Sequence, residues 1–366
     1  MSTVPSVAKI AVLRANALGD YVFSLPALEA LDAAYPDAEI VLIGRHWHAD
    51  FLEARPGPVD RVVVVPGDGH PEALPQQRHG DRPWMAASPG ERAAFAVAMR
   101  AESFDLAIQI HGGGRNSNPF LLELGARRTV GLRSDDASAL DASVPYVYYQ
   151  HEVARSLEVV GLVGARPVTI EPRVELTEAD RTEADGLVGT LGTYAAIHVG
   201  AVDPRRRWPT PAFAAVADTL ARDGLATVFT GSPADQPLVE RARAAMRSPS
   251  TSLAGRSSLG GLAGVLARAD VVVSNDTGPL HLAGAVGTPT VGVYWCGNLI
   301  NGGPLARRRH RPLISWRTAC PACGQDCTRG RCSHDDSFIA DVAIDEVVDA
   351  ARSLVDLEPH GTPRAA

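Results

Sequence analysis

Polar side chains that could bind an anion interrupt an apolar run in the last third of the chain. Residues 271–273 are all valine and predict a strand buried on both faces, and Asn-Asp-Thr-Gly then precedes Pro279, which suits a first helical turn. Such a loop faces the ligand crevice of an α/β sheet, where the first N–H groups of the helix attract anions. Thr277 and Gly278 are therefore candidate anion donors. His281 either contacts the same ligand or hydrogen-bonds a backbone carbonyl.

A run of three arginines, Arg205 to Arg207, follows another predicted strand at 194–200. A charge run is usually a solvated surface, but the Trp-Pro pair directly after it holds this one near the carboxyl end of the strand. Guanidinium groups suit phosphate oxygens, so the run is a candidate diphosphate site. Gly200 and Ala201 precede it and could contact phosphate only through their N–H groups. Asp235, after the predicted strand at 226–231, either binds ribose hydroxyls or caps a helix.

Asp20 follows the first predicted strand, at 9–14, and an Ala-Leu-Gly turn. Its carboxylate is expected at the carboxyl end of that strand, where a ligand would bind. One interpretation is a helix-start carboxylate stabilised by the helix dipole. The other is a general base, a role that typically contributes about 10²- to 10⁴-fold in rate.

His111 begins a His-Gly-Gly-Gly-Arg segment that could form the oxyanion hole of an esterase. The sequence contains no G-x-S-x-G nucleophile motif, which argues against a hydrolase of that kind. Nor does any G-x-G-x-x-G follow a strand and open a helix, which argues against a dehydrogenase.

Four cysteines, Cys320, Cys323, Cys327 and Cys332, lie within 13 residues, and His334 follows two residues later. Thiolates at this spacing can close a tetrahedral zinc or iron site, although the last intervals are tighter than in most zinc knuckles. Free thiols, or disulfides in an exported protein, are the alternatives. We expect any metal here to be structural, without a direct part in catalysis.

Strand and helix patterns alternate through both halves of the chain, which predicts an α/β fold with parallel sheets covered on both faces. The pattern loosens between 132 and 175, and residues 167–180 have the composition of a linker. We therefore expect domains at 1–172 and 173–342, followed by a C-terminal helix and tail at 343–366. Pro26 predicts a kink in the first helix or a start nearer Ser24. Residues 67–92 are expected to form an exposed loop.

Composition narrows the classes of partner. The 366 residues are 45% apolar and 21% charged, as in folded globular proteins, and the net charge of −7 argues against general binding to nucleic acids or anionic membranes. No apolar run approaches the roughly 18 residues of a membrane span, and the N-terminus lacks the pattern of a signal peptide. A cytoplasmic protein without an integral membrane segment is expected.

Four segments, in order, resemble glycosyltransferase family 9, whose best-known members are the ADP-heptose heptosyltransferases. They are RANALGDYVFSLPALEAL, DLAIQIHGGGRNSNPFLLELGARRTVGL, IHVGAVDPRRRWP and VVSNDTGPLHLAGAVGTPTVGVYW. The resemblance implies a GT-B fold, with two Rossmann-like doubly wound parallel-sheet domains facing a central cleft. It further implies acceptor binding by the N-terminal domain, donor binding by the C-terminal domain, inversion of the anomeric centre, and no cofactor for catalysis.

The resemblance also assigns roles to individual residues. Asp20 matches the catalytic base, and Arg206 replaces the lysine of a Lys-Arg-Trp-Pro pattern and is expected to stabilise the leaving diphosphate. Asp276 matches an aspartate that accepts hydrogen bonds from sugar hydroxyls. His111 and Arg115 fall in a segment that contributes to the acceptor side.

Three further residues of the donor segments differ in how well they match the family. Arg207 is expected beside the donor. Gly200 and Ala201 depart from the hydroxyl-bearing residues that some members carry, so only backbone contacts to the donor remain for them.

The expected activity is inverting transfer of a sugar from a nucleotide-sugar donor, with ADP-heptose as the leading candidate. The acceptor hydroxyl could belong to a glycan, a lipid-linked sugar or a small molecule. Two alternatives remain at this point. One is a GT-B nucleotide-sugar epimerase or hydrolase, in which Asp20 activates water or a carbon acid. The other is a non-catalytic, metal-bearing binding protein built around the cysteines.

Overall fold

The computed structural model describes residues 3–68 and 83–355. The chain forms two compact units, Met1–Glu175 and Leu176–Ala366, called here the first and second units. The division lies close to the domain boundary predicted after residue 172. The region predicted as a C-terminal helix and tail, 343–366, is grouped with the second unit. Its residues 356–366 lie outside the described part, as do residues 69–82 of the predicted loop.

The first unit is a doubly wound parallel sheet with strand order β3-β2-β1-β4-β5-β6. Its strands are β1 (Lys9–Leu13), β2 (Glu39–Gly44), β3 (Arg61–Val64), β4 (Leu106–Gln109), β5 (Arg128–Arg133) and β6 (Ala142–Pro145). Its helices are α1 (Leu18–Ala34), α2 (His46–Leu52), α3 (Pro83–Ala86), α4 (Pro89–Ala101), α5 (Ser117–Glu123) and α6 (Glu152–Gly161). The strand order reverses between β1 and β4, and a crevice for ligands is expected beyond the carboxyl ends of these two strands.

The second unit repeats this architecture, with strand order β12-β11-β10-β7-β8-β9. Its strands are β7 (Tyr194–His198), β8 (Ala226–Thr230), β9 (Thr251–Ser252), β10 (Val271–Asn275), β11 (Thr290–Trp295) and β12 (His310–Ser315). Its helices are α7 (Glu178–Val188), α8 (Thr210–Arg222), α9 (Gln236–Ala245), α10 (Leu259–Arg268), α11 (Gly278–Ala285), α12 (Cys296–Gly302) and α13 (Ile344–Val355). Here the strand order reverses between β7 and β10.

The central strands are continuous apolar runs. Helices cover both faces of each sheet, so the side chains on both faces of these strands are buried. In the second unit β7, β10 and β11 contribute fully buried side chains such as Ile197, Val273 and Val293 to one core cluster. The C-terminal helix α13 packs against α8 and the ends of β10 to β12. The amphipathic pattern at 343–355 therefore completes the second unit.

One of the two alternatives predicted for Pro26 was wrong. Helix α1 begins at Leu18 and continues through Pro26, so the later start near Ser24 is not observed. Burial of Leu25, Leu28 and Leu31 on the same helix outweighs the roughly 3 kcal/mol that an internal proline costs.

Regular structure also occurs where none was expected. The end of the loop predicted at 67–92 is helical, in α3 and the start of α4. The loosened segment between 132 and 175 contains β6 and α6, and the segment read as a linker runs into α7. The short strand β6 and the polar helix α7 lack the long apolar periodicity on which the sequence predictions rest.

Trp208 gives a test of the core of the second unit. It is 1% exposed, packs edge-on against Phe213, and its indole N–H donates to the Val342 carbonyl at 3.1 Å. Replacement of Trp208 by Ala should lower the free energy of unfolding by roughly 3–5 kcal/mol, measured by urea denaturation followed by circular dichroism. Trp316→Ala is the matched control, because Trp316 is 71% exposed. Equal effects of the two substitutions would contradict this packing.

Candidate functional site

A buried arginine organises the carboxyl end of β1 in the first unit. The Arg14 side chain is 3% exposed, and its guanidinium donates to the carbonyl oxygens of Asp20, at 3.1 Å, and Ile110. Its Nη2 also donates to Asp20 Oδ1 at 3.1 Å and to Glu152 Oε2 at 3.0 Å. Because Ile110 follows β4, Arg14 joins the two strands between which the order reverses. It holds two carboxylates at that point.

Asp20 keeps an accessible carboxylate within this arrangement. Its side chain is 32% exposed, and Oδ2 accepts the N–H of Ala17 at 3.2 Å at the start of α1. Asp20 therefore makes a hydrogen bond at the start of α1, as the helix-start interpretation expects. This contact leaves its carboxylate partly open to solvent. An oriented, partly exposed carboxylate is also what a general base requires.

Glu152, at the start of α6, extends the network away from Asp20. Its Oε1 pairs with Nη1 of Arg155, whose Nη2 donates to the Val147 and Tyr148 carbonyls at 2.7 and 3.0 Å. The Arg155 guanidinium also lies 4.7 Å from the centroid of the Tyr146 ring. The charge network thus runs from Asp20 through Arg14 and Glu152 to Arg155, and it ties α6 to the site.

The two acceptor-side candidates lie in different environments. His111 is 6% exposed and accepts the Ala15 N–H through Nδ1 at 3.1 Å. Its ring meets the Trp84 ring edge-on, with 5.0 Å between the ring centroids. It therefore borders the same strand ends as Arg14. The Arg115 side chain is 73% exposed and pairs with the exposed Asp136 at 3.2 Å. Arg115 thus has the environment of a surface residue, and only its place in the glycine-rich turn connects it with the site.

In the second unit a buried asparagine joins the ends of β7 and β10. The Asn275 amide donates to the Val199 carbonyl at 2.9 Å and the Gly200 carbonyl at 3.4 Å, and its oxygen accepts the Trp208 N–H at 2.9 Å. These bonds fix the backbone on both sides of the arginine run. They also hold the loop after β7 against the loop after β10.

The arginine run forms a short 3₁₀ helix, Pro204–Arg206, capped by Asp203. Arg206 Nη1 lies 3.2 Å from Asp276 Oδ2, and His281 Nε2 lies 3.1 Å from Asp276 Oδ1. Asp276 is 4% exposed. The structure therefore brings together Arg206, Asp276 and His281, which the sequence places in two separate segments. The contact of His281 described here is with a carboxylate, whereas the alternative considered from the sequence was a backbone carbonyl.

Burial and charge have opposite effects on Asp276. Burial raises the pKa of its carboxyl, but the His281 hydrogen bond and the charges of His281 and Arg206 outweigh it and leave the pKa below the ordinary value of 3.8. Asp276 therefore carries its charge in the folded state and orients the guanidinium of Arg206.

Two of the remaining donor-side candidates follow Asp276 directly, and two lie in the loop of the arginine run. Thr277 is the N-cap of α11 and Gly278 is the first residue of the helix, so the helix begins directly after Asp276. N–H groups at a helix start have no acceptor within the helix. Arg207 Nε donates to the Ala201 carbonyl at 2.8 Å, which turns this guanidinium toward its own loop.

Asp235 and Gly200 lie in close contact. A Cβ on Gly200 would stand 2.5 Å from Asp235 Oδ1, so a larger residue at position 200 would displace this carboxylate. Asp235 Oδ2 accepts the N–H and hydroxyl of Ser232 at 2.9 and 2.7 Å. Asp235 stands at the N-cap position of α9, but its side chain makes no capping hydrogen bond to that helix; Oδ2 instead bonds back to Ser232 at the start of the preceding 3₁₀ turn.

The cysteines converge with a histidine in the loop between β12 and α13, residues 316–343, called here the Cys loop. Ligand atoms of Cys320, Cys323, Cys332 and His334 all lie within 4.8 Å of one another, and these four residues are called the Cys/His cluster. Cys327 Sγ lies 3.8 Å from Cys332 Sγ but is not a member of that group. The set expected from the sequence contained Cys327 in the place of His334.

The chemistry of the Cys/His cluster fits a metal. Three thiolates and an imidazole form a tetrahedral donor set typical of zinc. Nδ1 of His334 is buried and makes no hydrogen bond with the described residues. Hydrogen bonds from the backbone and then the side chain of His334 lower the pKa of Cys332 to about 6, which favours the thiolate that metals bind.

Several residues of these sites escaped sequence reasoning. Arg14 was visible as a charge at the end of a buried strand, and Asn275 as a polar residue two positions after the valine run. Both signals could have been used, since a buried polar group needs partners. Glu152 and Arg155 lie on α6, which was not predicted although Val153, Leu157 and Val160 recur at helical spacing.

Two Rossmann-like units with these strand orders, in one chain, are the architecture of GT-B glycosyltransferases. The chain belongs to glycosyltransferase family 9: residues 92–326 match the family described as "Glycosyltransferase family 9 (heptosyltransferase)". It is therefore a glycosyltransferase, and the interpretation as a non-catalytic binding protein is wrong. Among the described residues no helix has the length and apolar character needed to span a bilayer.

Named relatives agree with the family. Lipooligosaccharide heptosyltransferase 2 of Haemophilus influenzae is 25% identical over 302 residues, which cover 78% of this chain and 82% of the relative. The structure of Escherichia coli ADP-heptose LPS heptosyltransferase II is 20% identical with a TM-score of 0.74, covering 95% and 99% of the two chains. The iron-containing dodecameric glycosyltransferase TibC of enterotoxigenic E. coli has a TM-score of 0.56 at 11% identity, covering 97% and 78%.

The depressed pKa of Asp276 predicts how stability depends on pH. Asp276→Asn should lower the free energy of unfolding at neutral pH by roughly 1–3 kcal/mol, because Arg206 loses its anionic partner. Since the folded-state pKa lies below 3.8, the advantage of the wild type should be full above about pH 5 and should shrink as pH falls below 4. Urea denaturation from pH 3 to 7 measures the difference. A difference that does not change with pH would contradict the ion pair.

Proposed function

We propose that this glycosyltransferase transfers a heptose from an ADP-activated donor to an acceptor hydroxyl, with inversion of the anomeric centre. Family membership supports glycosyl transfer, and the named heptosyltransferase relatives support the donor. The observation that carries the proposal is the Arg206–Asp276 pair at 3.2 Å, adjacent to the start of α11. It presents a cation and N–H groups together, as a diphosphate requires.

In the donor half of the reaction, Arg206 binds the diphosphate together with the N–H groups of Thr277 and Gly278. As the bond between the anomeric carbon and the diphosphate oxygen breaks, negative charge develops on that oxygen. A preorganised guanidinium stabilises this charge more strongly than it stabilises the bound donor. Asp276 holds Arg206 in place, and its oxygens have further lone pairs that can accept hydrogen bonds from sugar hydroxyls.

Further donor contacts are proposed around this centre. His281 approaches the sugar or the diphosphate from the first turn of α11. Gly200 and Ala201 contribute backbone N–H groups, Arg207 supplements the positive charge, and Asp235 accepts from the ribose hydroxyls through the oxygen that faces Gly200.

In the acceptor half, Asp20 is the general base. The acceptor oxygen attacks the anomeric carbon from the face opposite the diphosphate, and its proton passes to a carboxylate oxygen of Asp20. Arg14 orients that carboxylate through Oδ1, and the Ala17 N–H holds Oδ2. Such a base serves a reaction in which the acceptor proton is transferred late, after the bond to the diphosphate has largely broken. His111 and Arg115 are proposed to contact the acceptor.

The names of the relatives, which refer to lipopolysaccharide and lipooligosaccharide, support a proposal for the acceptor class. We propose a lipopolysaccharide-type glycan as acceptor, with another lipid-linked sugar or a small molecule as the alternatives to test. A cytoplasmic location and the absence of nucleic-acid binding stay predictions.

We further propose that the Cys/His cluster binds a structural zinc or iron ion. The donor set, the buried Nδ1 of His334 and the lowered pKa of Cys332 support it. The bound ion would cross-link a loop that has little regular structure, and no step of the transfer passes through it.

Two substitutions separate base from donor contact. Asp20→Asn should lower kcat by about 10²- to 10⁴-fold while the Kd for ADP, measured by calorimetry, stays unchanged. Arg206→Ala should weaken ADP binding and lower kcat, with partial rescue in Arg206→Lys. The exposed Asp37→Asn and Arg308→Ala are matched controls, expected to behave as the wild type. Turnover at the wild-type rate in folded Asp20→Asn would contradict the mechanism.

The metal proposal predicts a stoichiometry. The purified protein should contain about one zinc or iron ion per chain, measured by plasma mass spectrometry, and Cys320→Ser should lose most of it because three ligands rarely hold a structural ion. Cys296→Ser is the control, since Cys296 is also buried but lies outside the Cys/His cluster. A metal-free wild-type protein purified under reducing conditions and without chelators would refute this assignment.

A further inference from the structure

The turn that carries Arg206 is built around a single carboxylate. Asp203 accepts hydrogen bonds from the backbone N–H of Arg205 at 3.1 Å and from its Nη2 at 2.6 Å, and its carbonyl accepts the Arg206 N–H at 3.0 Å. Asp203 is 9% exposed. The position of Arg206 therefore depends on Asp203, although the two side chains point to different partners.

The Cys loop contacts this turn through Phe338. The Phe338 N–H donates to the Arg205 carbonyl at 2.8 Å, and the Arg205 guanidinium lies 5.9 Å from the centroid of the Phe338 ring. The Phe338 carbonyl accepts the Ser315 hydroxyl at 2.6 Å, at the end of β12. Phe338 is thus bonded on one side to the sheet and on the other to the turn before Arg206.

Phe338 also packs against the cysteines. Cys320, Cys327 and Cys332 form one buried cluster with the Phe338 ring, against which Trp295 packs. Arg331, the neighbour of Cys332, places Nη1 3.7 Å from Asp203 Oδ1. Two connections therefore lead from the Cys/His cluster to the turn, one through Phe338 and one through Arg331.

The C-terminal end of the Cys loop is anchored in the core of the second unit by Ile339 and Val342, whereas the segment that carries the cysteines has little regular structure. Between β12 and α13 the Cys loop contains no helix or strand among the described residues, only an isolated bridge between Ala319 and Asp326. Three cysteine ligand atoms within 4.8 Å of one another repel when they carry negative charge without a cation. Metal binding supplies folding free energy to a segment of this kind, so we expect a bound ion to stabilise the packing of the cysteines against Phe338 and the position of Arg331.

We propose that Asp203 and Phe338 couple the Cys/His cluster to Arg206, so that a tetrahedral metal ion in the cluster is needed for tight binding of the nucleoside diphosphate. The inference rests on the proposed role of Arg206 at the donor diphosphate. Asp203 and Phe338 are positioning residues, since they act through the turn and do not touch the donor. Coupling between two sites is reciprocal, so ADP must raise the affinity of the cluster for the metal by the same factor.

The test measures both directions of the coupling. The Kd for ADP is measured by calorimetry on the full chain loaded with Zn²⁺ and on the same protein stripped by a chelator under reducing conditions. We expect stripping to raise the Kd at least tenfold. The affinity for Zn²⁺ is measured by equilibrium competition with a chromogenic chelator, and saturating ADP should increase it by the same factor.

Asp203→Asn separates coupling from simple loss of folding. This variant should keep about one Zn²⁺ per chain, bind ADP more weakly, and show a smaller effect of ADP on Zn²⁺ affinity. Cys320→Ser should bind ADP as the stripped wild type does, and Cys296→Ser as the loaded wild type does. Circular dichroism identifies any preparation whose fold is lost.

Two results would overturn the inference in distinguishable ways. Equal ADP affinity in loaded and stripped protein, or a Zn²⁺ affinity that ADP does not change, would overturn the coupling alone. Failure of the loaded wild type to bind ADP would overturn the proposed donor site and the coupling with it.

Discussion

The ion pair between Arg206 and Asp276 is the interaction on which the proposed donor site of this enzyme depends. A buried carboxylate is tolerated only when cations and hydrogen bonds compensate its lost hydration, and here Arg206 and His281 provide them. The pair forms only if the loop after β7, which carries Arg206, and the loop after β10, which carries Asp276, keep their relative position. Asn275 provides this by bonding the backbone of both loops. The amide of Asn275 thus holds the two loops of the site together at the point where the strand order of the sheet reverses.

Both units contain an arginine–carboxylate salt bridge, but the more buried member of the pair differs between them. Each places a salt bridge where its strand order reverses, Arg14 with Asp20 and Arg206 with Asp276. In the first unit the arginine is 3% exposed and the carboxylate 32%, whereas in the second the carboxylate is 6% exposed and the arginine 16%. The buried partner orients the accessible one. A partly exposed carboxylate suits a proton acceptor, and a partly exposed guanidinium suits a diphosphate, as the proposed roles require.

Sequence reasoning succeeded where a single physical signal dominates and failed where tertiary contacts decide. Valine runs and proline-started helices predicted most central elements, because buried parallel strands need no alternation. Helix α1 continues through Pro26 because its leucines are buried, which local rules do not include. Arg206 and Asp276 could be expected at the same edge of a sheet, because each follows a predicted parallel strand. The place of His334 in the Cys/His cluster, and the pairing of Arg14 with Glu152, depend on how loops fold back and have no signature in spacing alone.

The pairing of Arg14 with Glu152 determines when the first unit can finish folding during translation. The two residues are separated by 138 positions, and Arg14 is nearly fully buried in the finished sheet. A nascent chain that has emerged only as far as β5 does not yet contain Glu152. It would have to bury the Arg14 guanidinium with Asp20 as its one carboxylate partner, which is costly. The first Rossmann-like sheet should therefore remain loosely assembled on the ribosome until α6 has been synthesised, and the charge network around Asp20 forms late in translation of that unit.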